Sequence, residues 1–177
     1  MALAIVIGVV AGIHVFARAD DGSTAAVPKN MQATAQTSPT LYKTIPVDGL
    51  RIFYREAGPK HAPTIVLLHG FPASSFMYRD LIRQLSGRFH VIAPDYPGFG
   101  YSDAPSTLAF SYTFDHLADI MEHFIDRFRL DQYALYLQDF GGPVGFRLAS
   151  RHPDRVSALI LQNANAYEEG LPDSFWT

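Results

Sequence analysis

Four short apolar runs constrain this chain more than any other feature: Thr64–Leu68 and residues 89–93, 133–137 and 156–161. They do not alternate with polar residues, as a strand with one wet face would. Strands apolar on both sides must be covered on both sides, which is the condition of a buried parallel sheet. Helical periodicity fills the gaps. From Thr113 onward, Leu117, Ile120, Met121, Phe124, Ile125 and Phe128 recur at helical spacing, with Asp119, Glu122, His123, Asp126 and Arg127 on the other face. Met77, Leu81 and Leu85 form a second stripe, ended by Gly87. A third helix is expected from near Gly141 to before Pro153, with Val144 and Leu148 inward and Gly145 and Ala149 allowing close packing. Ahead of these, residues 42–47 and Leu50–Ala57 flank Asp48-Gly49, a hairpin signal. Strands alternating with helices imply right-handed crossovers. The fold class is therefore α/β: a doubly wound, mostly parallel sheet with helices on both faces. Ligands in such sheets bind at the carboxyl ends of the strands, which directs attention to the positions after Leu68, Ala93, Leu137 and Leu161.

The chain has 177 residues, suited to one domain. Residues 2–16 are almost all apolar, and Ala17-Arg18-Ala19 follows as a small-x-small pattern. Residues 1–19 read as a secretory signal cleaved after Ala19, although no Lys or Arg precedes the apolar run. The alternative is a short membrane anchor, but the run is shorter than the roughly 20 residues a spanning helix needs. Export to periplasm or medium is the expected localisation, and a membrane is a partner only if the segment is kept as an anchor. Residues 20–40, rich in Ala, Thr, Ser, Gln and Pro, read as a disordered linker. Residues 41–177 are then the globular part.

Composition removes several functions. Lys+Arg is 14 and Asp+Glu is 17, a net charge of −3, which argues against nucleic acid as partner. There is no cysteine, so thiol catalysis, disulfides and thiolate metal sites are excluded. No His/Asp/Glu cluster has metal-ligand spacing, and no metal or other cofactor is expected. Gly98-Phe99-Gly100 is no dinucleotide fingerprint, because Pro94, Pro97 and Pro105 break the helix it would need. Asp95 reads as the residue that fixes this turn. Phe53, Tyr54 and the other aromatics outside the motifs read as core or surface.

Chemistry concentrates in two stretches. After Leu68 comes His69-Gly70-Phe71-Pro72; after Leu137 comes Gln138-Asp139-Phe140-Gly141-Gly142, opening a helix. The second has the form of a nucleophile elbow: a strand, one reactive residue on a sharp turn, then glycines and a helix. The helix N-terminus sets free N–H groups and partial positive charge beside that residue. A carboxylate there can attack carbon and form an alkyl ester, which water then cleaves. The backbone N–H groups of Phe71 and Phe140 are the expected donors to the ester oxygen. His69 and Gly70 shape the loop that presents the first of them. Read alone, Asp139 is better taken as an N-cap; the two glycines after it and His-Gly-Phe-Pro upstream favour catalysis.

With Asp95-Tyr96-Pro97-Gly98-Phe99-Gly100-Tyr101-Ser102 between them, these stretches resemble the α/β-hydrolase superfamily, in the branch of epoxide hydrolases and haloalkane dehalogenases, from about Leu41 to the C-terminus. The resemblance implies a hydrolase acting on a small molecule through an Asp nucleophile, Asp139. His-Gly-Phe-Pro looks like epoxide hydrolases and fluoroacetate-type dehalogenases; Gln-Asp looks like some haloalkane dehalogenases. The latter usually follow the nucleophile with a Trp whose indole N–H binds halide. Phe140 stands there and has no such donor, so epoxide opening is the favoured expectation. No Gly-x-Ser-x-Gly occurs, against a serine esterase.

The resemblance also implies a His to activate water and an acid to orient it, both later in chain order. The histidines are His14, His61, His69, His90, His116, His123 and His152, and none fits that place. Glu168 and Glu169 read as the solvated start of a cap. The expectation is thus an incomplete domain lacking cap, last strands, base and acid, with its last strand exposed for want of a neighbour. Ester hydrolysis without the base is expected to slow by roughly 10²–10⁴-fold. The competing expectation is a non-catalytic remnant or binding protein.

Overall fold

The computed structural model of the chain describes residues 14–17 and 38–165. Among the described residues, seven strands form one sheet: β1 (His14–Ala17), β2 (Leu41–Val47), β3 (Leu50–Ala57), β4 (Thr64–Leu68), β5 (His90–Pro94), β6 (Tyr133–Asp139) and β7 (Val156–Ala164), in the order β1-β7-β6-β4-β5-β3-β2. The four central strands are parallel: β5 with β4, β4 with β6, β6 with β7. The hairpin β2–β3 joins antiparallel through β3 to β5. Its two-residue turn, Asp48-Gly49, has positive φ at both positions (48° and 80°), the twist a tight hairpin needs.

Among the described residues, three helices connect the strands: α1 (Arg79–Leu85), preceded by a 3-10 turn over Ser75–Tyr78, α2 (Phe114–Asp126) and α3 (Gly141–Arg151). Thr113 caps α2, its hydroxyl accepting the His116 N–H at 3.2 Å. The period-2 alternation of the strands sorts the core into two layers. Val66, Leu68, Leu135 and Leu137 face α2 and α3. Ile65, Leu67, Val91, Ala93 and Tyr136 face α1. Leu117, Ile120, Met121, Phe124 and Ile125 are the buried stripe of α2, as its periodicity predicts. Each large side chain so buried stabilises the fold by about 1.5–3 kcal/mol.

Winding direction reverses at β4. The chain leaves β4 for β5 over the α1 face, then returns across to β6 over the α2 face. The crevice between the carboxyl ends of β4 and β6 is therefore the switch point where such sheets bind ligands.

Several expectations need correction. The stripe on α1 is displaced by one residue: Tyr78 and Ile82 are fully buried, while Met77, Leu81 and Leu85 pack only partly against the same layer. The backbone takes the 3-10 form over Ser75–Tyr78, so the pattern shifts. The last strand is not bare, since β1 lies antiparallel along β7 with His14 opposite Leu161 and Ala17 opposite Ala158. The globular part begins a little before Leu41: the Ser38 N–H donates to Ser86 Oγ at 3.1 Å. The rest of the signal and linker readings, and Glu168 and Glu169, lie outside the described residues. Among the described residues, no helix is long and apolar enough to cross a membrane.

Candidate active site

Asp139 is the last residue of β6, and its φ is +50°. A side chain rarely adopts that conformation away from Gly, Asn and Asp. Here it turns the chain sharply from strand into α3 and lifts the carboxylate onto the sheet's carboxyl rim. The neighbours leave room for nothing else. A Cβ on Gly141 would fall 2.2 Å from the Leu68 carbonyl oxygen, so the helix start can lie against β4 only because that position is glycine.

The loop after β4 meets this corner. Asp139 Oδ1 accepts the Phe71 N–H at 2.8 Å and the Phe140 N–H at 2.7 Å. Two amides from distant segments thus converge on one oxygen. Oδ2 accepts no hydrogen bond among the described residues. This pattern is not a cap: a capping side chain accepts from the second or third helical N–H, whereas the cap position of α3 is Phe140. The structure therefore brings together the four sequence-predicted neighbours of Asp139, namely His69, Gly70, Phe71 and Phe140.

His69 is fully buried and shapes the loop from within. The Tyr96 N–H donates to its Nε2 at 3.3 Å, which leaves Nδ1 protonated and donating to the Gly70 carbonyl at 2.9 Å. Burial holds its pKa below the ordinary value, against the opposing pull of the Gly70 bond and the charge of Asp95. With both nitrogens committed, His69 positions the loop and has no lone pair for water. Asp95, also fully buried, accepts the Ser75 N–H at 2.7 Å, the Ser75 hydroxyl and the Tyr101 N–H at 2.9 Å. It fixes the turn, as expected, and also ties it to the segment that follows the His69 loop.

Above the carboxylate lies a cavity of about 570 Å³. Its walls are mainly rings: Phe71 and Phe140 stack with centroids 5.4 Å apart, and Phe114 meets Phe140 edge-on at 4.9 Å. Phe99 and Tyr112 extend the wall, and Arg147, bound to Asp115 at 2.6 Å, marks the rim. Sequence reading missed Phe114, Tyr112 and Arg147. They come from a loop and two helices that only the tertiary fold assembles, and no local spacing distinguishes them from core or surface.

Among residues 38–165 no histidine is offered to Asp139. His90 bonds Glu56 and Thr64, His116 the Ser111 carbonyl, His123 Asp48, and His152 Glu122. His61 lies before β4, at the opposite end of the sheet.

Comparison with known proteins agrees with this architecture. The family described as "alpha/beta hydrolase fold" matches residues 63–176. An uncharacterized hydrolase of Saccharomyces cerevisiae is 51% identical over 129 residues, covering 73% of this chain and 44% of the yeast protein. Haloalkane dehalogenase 2 of Mycobacterium tuberculosis is 43% identical over 113 residues, 64% of this chain and 38% of the dehalogenase. Among solved structures, a variant of Vigna radiata epoxide hydrolase superposes with a TM-score of 0.63 at 34% identity, covering 68% of this chain and 37% of that one. The chain thus spans less than half the length of each. Sheet order, elbow and sequence matches agree: the chain belongs to the α/β-hydrolase superfamily, in the branch that holds epoxide hydrolases and haloalkane dehalogenases.

Proposed function

We propose that this chain carries the nucleophile and oxyanion half of a hydrolase that opens epoxides through a covalent ester on Asp139. The observation that carries this reading is the convergence of the Phe71 and Phe140 amides on a single oxygen, Oδ1. They leave Oδ2 as the attacking atom. Oδ2 bonds to an oxirane carbon, the carbon–oxygen bond of the ring breaks, and the ring oxygen leaves as an alkoxide that takes a proton from solvent water. Water then adds to the ester carbon Cγ. The negative charge develops on Oδ1, where both amides already point, and collapse releases the diol and restores the carboxylate. Removing one such donor typically lowers the rate about 10²–10³-fold.

The second reading is dehalogenation, in which Oδ2 displaces halide from an alkyl carbon. The identity to a haloalkane dehalogenase favours it. Against it, Phe140 supplies no side-chain N–H next to the nucleophile, and the rings of Phe71, Phe114 and Phe140 offer a leaving halide no strong donor.

The deciding experiment incubates the chain with styrene oxide or 1-bromobutane and maps adducts by mass spectrometry. The expected result is a mass increase on the peptide bearing Asp139, faster with the epoxide and absent in Asp139→Asn. Label on another residue of a folded sample rejects the nucleophile; faster labelling by the bromide selects the second reading.

A further inference from the structure

A second cleft, of about 380 Å³, opens on the outer face of β2 and β3, lined by Tyr42, Phe53, Arg55, Phe76 and Tyr101. We propose that it binds a small monocarboxylate bearing a flat apolar group, separately from the cavity over Asp139.

The strand pattern explains the lining. Phe53 and Arg55 lie two apart on β3 and share a face, and Tyr42 of β2 is the register partner of Arg55. Phe76 enters from the 3-10 turn and Tyr101 from the loop after β5. Tyr42, Phe76 and Tyr101 are 67%, 57% and 74% exposed, an unusual outlay of aromatic surface in one place. Beneath them Arg55 is 4% exposed. Its guanidinium carbon lies 5.6, 5.1 and 5.6 Å from the ring centres of Tyr42, Phe53 and Phe76.

The guanidinium is under-used. It carries five donors in a planar fork. Among the described residues only the Ser75 hydroxyl accepts from it, at Nη1. Asp95 Oδ1 stands 3.9 Å from Nη1 and is already filled by the Ser75 N–H and hydroxyl. Nε and Nη2 therefore keep donors on the edge suited to a bidentate carboxylate. The three rings keep water from the cation, which strengthens its pairing with an anion, and they supply faces on which a flat group stacks. Asp95 limits the charge: it already offsets part of the guanidinium's charge, so a dianion such as phosphate is opposed more strongly than a monoanion.

Occupancy would be felt at the first site. Ser75, which bridges Arg55 to Asp95, belongs to the segment that continues from the Phe71 loop.

The test titrates the chain, with its phenylalanine and tyrosine rings isotope-labelled, with phenylacetate and with its neutral isostere phenylacetamide, following ring signals by NMR. Phenylacetate is expected to bind saturably at millimolar concentration, shifting Phe76 and Tyr101. Phenylacetamide is expected to bind about tenfold more weakly. Tyr101→Ala and Phe76→Ala, at exposed positions, are expected to weaken phenylacetate about tenfold without altering the circular dichroism spectrum. Arg55→Lys keeps the charge but not the planar fork, and is expected to narrow the preference for acid over amide. Equal binding of acid and amide, shifts confined to Phe114 and Phe140, or no saturation would each overturn the proposal.

Discussion

Gly70 is pressed so closely against Asp139 that a Cβ on the glycine would lie 2.4 Å from the Cβ of the aspartate. The same atom would sit 2.4 Å from Gln138 Oε1. The loop carrying the Phe71 amide can approach the elbow only because it has no side chain at this point. Gly70→Ala must push the two segments apart and pull that amide away from Oδ1. The expected outcome is hydrolysis of the Asp139 ester slowed about 10²-fold or more, the scale of losing one oxyanion donor, measured as the rate at which label is lost in a chase. An unchanged rate in a folded variant would show that the Phe71 amide contributes nothing.

The fate of the adduct also depends on a base. His69 has both nitrogens bonded, and every other histidine within residues 38–165 is either paired elsewhere or at the far end of the sheet. The ester on Asp139 is therefore expected to persist in this chain, hydrolysing roughly 10²–10⁴-fold more slowly than with a positioned base. A chase after removal of free epoxide, read by intact mass, measures it. Rapid loss of label would require a base that the described residues do not provide.

Glu56 predicts an acid limit to stability. It is buried on β3 between Lys43 and His90, with His90 Nε2 at 2.8 Å from Oε1. Burial alone pushes its pKa up, but the bonds to Lys43 and His90 outweigh it and leave the carboxyl below its ordinary value of 4.5. A carboxyl lowered by folding contributes stability that is complete above its unfolded pKa and lost as pH falls through the folded one. Denaturant midpoints of the chain are thus expected to fall from about pH 5 downward, and those of Glu56→Gln to fall less over the same range. Parallel curves would remove Glu56 from the explanation.

His123 behaves in the opposite sense. Its bond to Asp48 at 2.6 Å raises its pKa above the ordinary 6.5, against a smaller effect of burial. Whatever stability the pair adds is present below that ordinary value and disappears as pH rises through the raised one. Both groups are exposed, so the effect on stability is small and screened by salt. An NMR titration is the direct measurement: the His123 midpoint is expected above 6.5 and to drop toward it in Asp48→Asn.

Much of this was legible in the residues before any coordinates. The continuous apolar runs located the parallel strands because a strand covered on both faces leaves no polar register to misread. Asp48-Gly49 announced the hairpin because few residues tolerate its backbone angles, and the glycines after Asp139 announced the elbow because only glycine lets the helix start lie so close to β4. The α1 stripe was misplaced because a 3-10 turn has three residues per turn, not 3.6, and moves burial to Tyr78 and Ile82. The pairing of β1 with β7 was invisible for a different reason: residues 14–17 sit in a run whose composition resembles an export signal, and composition carries no information about strand partners. Arg55 was likewise unreadable, since its partners are all distant in the chain and converge only when β2, β3 and two loops meet.

The two hydrogen bonds that the Phe71 and Phe140 amides donate to Asp139 Oδ1 bear on inhibition. In many hydrolases a bound anion or boronate gains affinity by filling a vacant oxyanion hole. Here the resting side chain is its own occupant, so a reversible anionic mimic has no empty donors to claim. Tight inhibitors of this scaffold should draw their affinity from the ring-lined wall instead, or from a warhead that alkylates the aspartate outright.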